Sequence, residues 1–295
     1  MHFEITHITH YTYGHPAAEA YGEARLTPPD LPTQQVISHE LSIDPQTRTS
    51  SYIDFLGNKV HFFSLPYRHR KLTITNRAVV QTKKQELPPH AVETTIGESK
   101  QIFSSSLTDI FEYLQPTDRV ELGQQSISWV KRYLRGDRPL GKALQDLCEA
   151  IYDQFEYKSG STDNSTALST VWKEKRGVCQ DFAHIGLSIL RTAGLPCRYV
   201  CGYIEAAAPP KNSNDKPSRA LTGAMATHAW VEALVPGRIW IGFDPTNRKW
   251  VDERYVAVAY GRDFRDATPL RGTFKGSGGQ TMKVKVFMKR KGGRK

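Results

Sequence analysis

The sequence predicts an α+β protein in which a β-rich amino-terminal domain, residues 1–88, precedes a mixed core, residues 89–295. Three observations support this division. Short alternating segments and turns dominate the first part, helical repeats of apolar residues follow, and strand-like alternation returns near the end. At 295 residues, with 39% hydrophobic and 24% charged residues, the chain has the composition of a globular protein with a sizeable core.

The amino-terminal strands are predicted at Val36–Ile43, Lys59–Leu65 and Leu72–Gln81, where residues are β-branched or alternate between apolar and polar. Turn residues separate these segments, as in Leu56-Gly57-Asn58. The proline-rich stretch at positions 86–90 predicts a linker to the core.

The helices of the core follow from apolar periodicity. Apolar residues recur at intervals of three, four and seven between Leu140 and Phe155, which predicts an amphipathic helix. A shorter helix is expected around Leu122–Leu134. Residues 179–193 predict a helix that is apolar on most sides and therefore buried. Gly194, followed by a proline two positions later, supplies its stop signal.

Strand candidates return after this helix, at Cys197–Glu205, Thr227–Val235 and Ile239–Asp244, with a last one at Met282–Met288. The polar segment 206–224 predicts a surface loop. It is long enough to serve as a lid or a specificity loop, and a plain flexible insertion is the competing interpretation.

The net charge of +10 is concentrated in a basic carboxyl-terminal tail, which is expected to close the core domain after its last strand. Seven basic residues and no acid occur between positions 282 and 295: Lys283, Lys285, Lys289, Arg290, Lys291, Arg294 and Lys295. No basic face with interleaved aromatic residues accompanies them, so we expect a solvated end rather than a nucleic-acid site.

No apolar run approaches the ~20 residues of a membrane span. The first residues carry no signal-peptide pattern, so no membrane association is expected.

The four cysteines are too few for a disulfide-stapled fold of this length, which favours a reducing cytoplasm. Cys148 lies beside the apolar stripe of its helix and is predicted to be a buried structural thiol. Metal pairs such as Cys179 with His184, or Cys197 with Cys201, do not match zinc-ligand spacing. No metal or cofactor is therefore expected.

Cys179 is the first candidate for chemistry because it stands where a glycine-containing turn meets the buried helix. A helix amino terminus favours a thiolate, and its free N–H groups can stabilise an oxyanion. Lys173, Lys175 and Arg176 lie just upstream and add positive charge. A cysteine at a helix start is more often structural than catalytic, so this feature needs further support.

His228 and Asp244 supply that support. Positions 236–238 (Pro-Gly-Arg) predict a three-residue hairpin loop in which Val235 pairs with Ile239. This register places His228 and Asp244 as diagonal neighbours on one face, within ~8 Å of each other. A loop of even length would place them on opposite faces. The spacing thus predicts a histidine whose tautomer is held by a carboxylate.

These residues together predict a triad in which Cys179 is the nucleophile, His228 its base and Asp244 the residue that orients the base. Tyr157 and Trp172 can supply a second oxyanion donor, although packing in the core or cleft wall competes with that role. Gln180 can donate a hydrogen bond or cap the helix. Asp181 and His184 are expected to be hydrogen-bonded structural residues.

Several segments resemble bacterial transglutaminase-like proteins, which are often labelled cysteine proteases: RGVCQDFAH at 176–184, PCRYVCGY at 196–203, THAWVEA at 227–233, GFDPTN at 242–247 and GRDFRDATPLRG at 261–272. DFLGNKVHFFSLP at 54–66 resembles the β-rich domain that precedes the core in that group. The resemblance implies a papain-like transglutaminase core whose triad maps onto the same three residues. Cys197 and Cys201, where small residues are commoner, are read as packing variants, and no calcium-loop signature is present.

Three hypotheses for function follow. The first is a cysteine peptidase or amidase that hydrolyses a peptide or amide substrate. The second is a transglutaminase-type enzyme that transfers the acyl group to an amine. The third is an inactive scaffold that binds peptides in the cleft, and the intact triad argues against it.

Overall fold

The computed structural model describes residues 1–105, 107–205, 221–223 and 226–291. The predicted loop at 206–224 therefore lies outside the described residues, apart from positions 221–223. The elements before the core are β1 (His2–Ala17), β2 (Glu19–Ala24), β3 (Gln34–Asp44), β4 (Thr49–Ile53), β5 (Lys59–Leu65) and β6 (His69–Thr82).

The helices of the core are α1 (Pro89–Glu93), α2 (Ile96–Ser104), α3 (Leu107–Ile110), a 3₁₀ turn (Phe111–Tyr113), α4 (Gln124–Tyr133), α5 (Leu140–Gln154), α6 (Leu168–Glu174) and α7 (Cys179–Thr192). Its strands are β7 (Glu156–Tyr157), β8 (Arg176–Gly177), β9 (Cys197–Ile204), β10 (His228–Val235), β11 (Ile239–Asp244), β12 (Lys249–Trp250) and β13 (Tyr255–Gly261). Two strands follow, β14 (Leu270–Lys275) and β15 (Gln280–Arg290).

A sandwich of two four-stranded sheets contains the first six strands together with the last two. The sheet orders are β15-β1-β6-β3 and β14-β2-β5-β4, and all neighbours are antiparallel. The three strands predicted from alternation are confirmed in β3, β5 and β6. Buried side chains from both sheets, including Tyr13, Phe63, Leu65 and Ile74, form the core of the sandwich.

The carboxyl-terminal strand departs from its predicted place. The segment 282–288 is a strand, but it extends over 280–290 and pairs with β1, Phe3 facing Arg290 and Tyr13 facing Gln280. Alternation reveals which side chains share a face and carries no information about the partner strand, so the sequence could not assign this pairing. Much of the predicted basic tail is consequently an edge strand, in which Arg290 pairs with Glu205 at 2.7 Å.

The core places α7 against a five-stranded antiparallel sheet in the order β12-β11-β10-β9-β13. The predicted helices are confirmed as α4, α5 and α7, and Gly194 ends α7 with a φ of +73°. The linker expected at 86–90 is shorter, because Pro89 begins α1; proline suits a first helical position, where no N–H is needed. Within the described ranges, no helix has the length and hydropathy needed to cross a bilayer.

The hairpin of β10 and β11 has the predicted register. Val235 faces Ile239 and Val231 faces Phe243 across a three-residue loop. Gly237 and Arg238 adopt positive φ values of 86° and 60°, which allows this tight connection. The register places the start of β10 beside the end of β11.

Two side-chain amides attach the sandwich to the core. β13 is an edge strand, and its Ala257 N–H and C=O bond to the Gln34 amide at 2.9 and 3.0 Å. Asn58 bonds the N–H and C=O of Tyr260 in the same way, at 2.7 and 2.8 Å. A bulge between Ala257 and Ala259 shifts the register of β13 between the two sites. The backbone groups of this edge strand that have no strand partner are thereby satisfied, and the sandwich is held beside the five-stranded sheet of the core.

Gln34→Ala is expected to lower the free energy of unfolding by about 2–4 kcal/mol, because it leaves two buried backbone groups of Ala257 without partners. Urea denaturation measures this change. The neighbouring Gln35 is exposed, so Gln35→Ala provides a matched control with an expected change within about 0.5 kcal/mol. Equal stability of the two variants would contradict the proposed attachment.

Candidate active site

Cys179 is the first residue of α7 and is partly exposed. The turn before it is held by Asp181, whose carboxylate accepts hydrogen bonds from the Val178 N–H at 2.7 Å and from the Thr162 hydroxyl at 2.6 Å. Gly177 leaves room for this contact, since a Cβ there would lie 2.7 Å from the Asp181 carboxylate oxygen. Asp181 thus has a structural role that positions the thiol at the helix amino terminus.

His228 and Asp244 are joined by a hydrogen bond of 2.7 Å between imidazole Nε2 and carboxylate Oδ2, and both side chains are buried. Their predicted proximity is confirmed. Nδ1 of His228 is also buried and has no hydrogen-bond partner among the described atoms. Because Asp244 occupies Nε2, Nδ1 is the nitrogen that remains for the Cys179 thiol, which lines the same cleft.

The electrostatics of the pair favour a charged imidazole. Burial opposes the charge, but the negative charges of Asp244 and Cys179 outweigh it and raise the pKa of His228 to about 10. Burial would likewise raise the pKa of Asp244, but the charge of His228 and three side-chain hydrogen bonds hold it below its ordinary value. Asp244 is therefore a carboxylate, and His228 is charged, at neutral pH.

Two residues that the sequence analysis missed complete the surroundings of Asp244. Its Oδ2 accepts hydrogen bonds from the Asn247 amide at 2.7 Å and the Tyr255 hydroxyl at 2.8 Å. Asn247 lies three positions after Asp244 in the turn at the strand end, which is a local signal for such a contact. Tyr255 reaches the site only through the order of the sheet, and no local pattern points to it.

Asn247 also connects the site to residues 221–223. It accepts from the Thr222 N–H at 2.8 Å and donates to the Thr222 carbonyl at 3.2 Å. The next residue, Gly223, has a φ of +96°, and a Cβ there would lie 2.4 Å from Nδ1 of His228. This backbone packs closely against the imidazole, so a glycine is required at the position.

The three further candidates for the oxyanion site or the cleft wall, Gln180, Tyr157 and Trp172, occupy different places. Gln180 lines the cleft beside Cys179. Tyr157 lies on β7, opposite Gly177 of β8, and burial together with the nearby Cys179 raises the pKa of its hydroxyl. Trp172 is buried in the core, with its ring 5.5 Å from that of Trp129, which favours the packing role.

The basic residues upstream of Cys179 make contacts of their own. The Lys175 ammonium lies 4.4 Å from the ring centre of Phe155, and Arg176 pairs with Glu174 at 2.7 Å. The carboxylate of Glu174 therefore offsets the positive charge that Arg176 was expected to add near the thiol. His184 is a structural residue: its Nε2 accepts the Phe264 N–H at 3.2 Å, and burial lowers its pKa to about 3.

The remaining cysteines are buried thiols. Cys148 donates to the backbone carbonyl of Asp244 at 3.4 Å and Cys197 to that of Leu187 at 3.7 Å. Burial raises the pKa of Cys148 above its ordinary range, that of Cys197 to about 11 and that of Cys201 to about 12. Cys179 is thus the one partly exposed cysteine, and all four are free thiols.

A cleft of about 260 Å³ opens between the core and the sandwich, with Cys179 and His228 in its wall. The core also contributes Asn164, Val178, Gln180, Tyr199, Cys201, Thr227, Ala229 and Phe264. The sandwich and the segment leading into it contribute His7, Thr9, Thr268, Pro269, Leu270, Met282 and Val284. The candidate active site therefore lies at an interface between the two parts of the chain.

Two mycobacterial proteins are similar to this chain over most of their length. Uncharacterized protein Rv2569c of Mycobacterium tuberculosis is 34% identical over 284 residues, 92% of this chain and 86% of that protein. Uncharacterized protein ML0607 of Mycobacterium leprae is 34% identical over 290 residues, 97% of this chain and 98% of that protein.

Family and fold comparisons agree with this similarity. Residues 3–81 match the bacterial transglutaminase-like N-terminal region, and residues 127–245 match the transglutaminase-like superfamily. The chain therefore belongs to the transglutaminase-like superfamily. The crystal structure of a "putative cysteine protease" from Cytophaga hutchinsonii has the same fold, with a TM-score of 0.75 and 22% identity over 99% of this chain and 92% of that one. The predicted family and α+β fold are confirmed.

Proposed function

We propose that this protein is a thiol-dependent acyl-transfer enzyme, a cysteine peptidase or amidase that hydrolyses amide bonds. One observation carries the proposal: His228 is bonded through Nε2 to the buried Asp244, while its free Nδ1 belongs to the cleft of Cys179. This arrangement of nucleophile, base and orienting carboxylate is that of the catalytic triads. The peptide or amide substrate and the predicted cytoplasmic location belong to the same proposal.

The reaction proceeds through a thioester. The thiol proton of Cys179 is transferred to Nδ1 of His228, which gives the charged imidazole described above, and the thiolate sulfur attacks the carbonyl carbon of the amide. His228 then returns the proton to the leaving nitrogen as the C–N bond breaks. Water, deprotonated by His228, attacks the thioester and releases a carboxylic acid and the free thiol. Asp244 stabilises the charged imidazole in both halves of the reaction.

The oxyanion that forms on the carbonyl is assigned to the start of α7. The first N–H groups of a helix have no helical acceptor, and the helix dipole adds positive potential there. We assign the second donor to Gln180, which lines the cleft, or to Tyr157, whose hydroxyl feels the charge of Cys179. Trp172, in its aromatic cluster, is not assigned a part in the reaction.

Iodoacetamide at pH 7 is expected to alkylate Cys179 and to spare Cys148, Cys197 and Cys201. The imidazole of His228, with its raised pKa, is an acceptor for the thiol proton of Cys179, whereas burial raises the pKa of the other three thiols. Mass spectrometry of the intact protein and of its tryptic peptides locates the adduct, and Cys179→Ala is the control. Folded protein that stays unlabelled at Cys179 would leave the inactive peptide-binding scaffold as the better hypothesis.

Hydrolysis and amine transfer differ in their products. A glutamine peptide incubated with the protein and a primary amine is expected to yield the free acid, because our proposal assigns water as the second nucleophile. Mass spectrometry of the peptide distinguishes the two products, with Cys179→Ala again as the control. Incorporation of the amine would identify the transglutaminase-type reaction instead.

A further inference from the structure

The floor of the cleft is supplied by the sandwich, on the faces of β1 and β15 that point toward the core. In β15, Val286 is buried against the core, so Met282 and Val284, four and two residues earlier, share its face. Both line the cleft, and their side chains remain 56% and 39% exposed. Because these exposed apolar side chains line the same cleft as Cys179, they are available to contact a ligand bound there.

The neighbouring strand continues this floor with uncharged groups. His7 and Thr9 of β1 lie beside Val286 and Val284 in the sheet. Both ring nitrogens of His7 are engaged, Nδ1 with the Tyr203 hydroxyl at 2.9 Å and Nε2 with the Thr9 hydroxyl at 3.0 Å. Burial lowers the pKa of His7 to about 4, so the imidazole is neutral at pH 7.

Beyond the pair formed by His228 and Cys179, the cleft lacks countercharges. Among the described residues that line it, none is Asp, Glu, Lys or Arg, although such residues make up 24% of the chain. A charged substrate group would lose its hydration here without gaining an ion pair, which is costly. The volume of about 260 Å³ is below the roughly 300–1,000 Å³ of sites for drug-sized ligands, so it suits one side chain and the bond beside it.

We propose that the acyl donor carries an uncharged, apolar side chain next to the scissile bond, and that this side chain packs on Met282 and Val284. The inference rests on the proposed function, since it defines the substrate class of the same site. It makes the sandwich a specificity element of the enzyme, with Met282 and Val284 as the residues that select the substrate.

The test compares three peptidyl acyloxymethyl ketones that differ only in the residue beside the thiol-reactive group: leucine, glutamate or lysine. Labelling of Cys179 is followed by mass spectrometry, and each rate is divided by that of iodoacetamide in the same protein. The leucine probe is expected to react about 10- to 100-fold faster than either charged probe, the range that burial of one aliphatic side chain supports.

Variants of β15 test whether Met282 determines which probe reacts fastest. Met282→Lys is expected to slow the leucine probe about 10-fold or more and to favour the glutamate probe over the lysine probe. Met282→Leu is expected to retain the wild-type order. Phe287→Lys is the matched control, because Phe287 is 49% exposed on the same strand but on the opposite face.

The outcomes separate this inference from the proposed function. If iodoacetamide does not label Cys179 in the wild-type protein, both are overturned. If iodoacetamide labels it but the three probes react equally, the apolar selectivity alone is overturned, and this result needs no variant. If Met282→Lys folds and behaves like Phe287→Lys, the floor formed by β15 is not the selective element.

Discussion

Cys179→Ala is expected to lower turnover of the preferred peptide by about 10⁵- to 10⁶-fold, the loss that follows removal of the nucleophile from a catalytic triad. The methyl group cannot form a thioester, so His228 and the oxyanion donors are left to promote direct attack by water. The side chain of Cys179 is partly exposed at the start of α7, so its loss has little effect on packing. Turnover is measured with the peptide selected from a library digest, at equal concentrations of folded protein.

The matched control is Cys197→Ala. Cys197 is fully buried behind α7, with its thiol on the Leu187 carbonyl, and takes no part in the proposed chemistry. This variant is expected to lose about 1–3 kcal/mol of stability while it keeps its turnover. Comparable turnover in the wild-type protein and Cys179→Ala would remove Cys179 from the mechanism.

Asp244→Asn is expected to lower kcat by about 10⁴-fold, as the same replacement does in a serine-protease triad. Oδ1 of Asp244 accepts two backbone N–H groups, from Thr246 and Asn247. Oδ2 accepts three donors, from His228, Asn247 and Tyr255. An asparagine NH₂ group would face donors at either position, so it cannot hold the imidazole as the carboxylate does.

The fold of Asp244→Asn is expected to persist with a stability loss of about 1–3 kcal/mol per unpaired donor, within the 5–15 kcal/mol that typical proteins possess. Circular dichroism and thermal unfolding check this point, and stopped assays give kcat and KM separately. Asp109→Asn serves as a control, because Asp109 forms an exposed ion pair with Arg238, away from the proposed triad. A kcat near the wild-type value in Asp244→Asn would show that the carboxylate does not orient the base.

The sequence predicted the parts of the site that depend on local spacing. The three-residue loop at 236–238 sets the parity that brings His228 to Asp244, and the apolar run after Cys179 defines a buried helix with the thiol at its start. Both features require knowledge of only a few neighbouring positions. The catalytic roles of these residues remain the proposal that the experiments above test.

The parts that the sequence did not predict depend on pairing between distant strands. Tyr255 reaches Asp244 because β13 packs beside β9, and Met282 reaches the cleft because β15 pairs with β1. Alternation in each strand was visible, but the number of possible partners was large. The amide bridges of Gln34 and Asn58 depend in the same way on contacts between residues more than 200 positions apart.

The pairing of β1 with β15 has a consequence for the order of events during synthesis. The ribosome makes the amino-terminal strand first, yet that strand lacks one of its two neighbours until residue 290 has left the exit tunnel. The helices and the hairpin that carry Cys179, His228 and Asp244 emerge earlier. A nascent chain can therefore assemble Cys179, His228 and Asp244 before the strand that carries Met282 and Val284 is in place, and pairing of that strand with β1 is a late, long-range step.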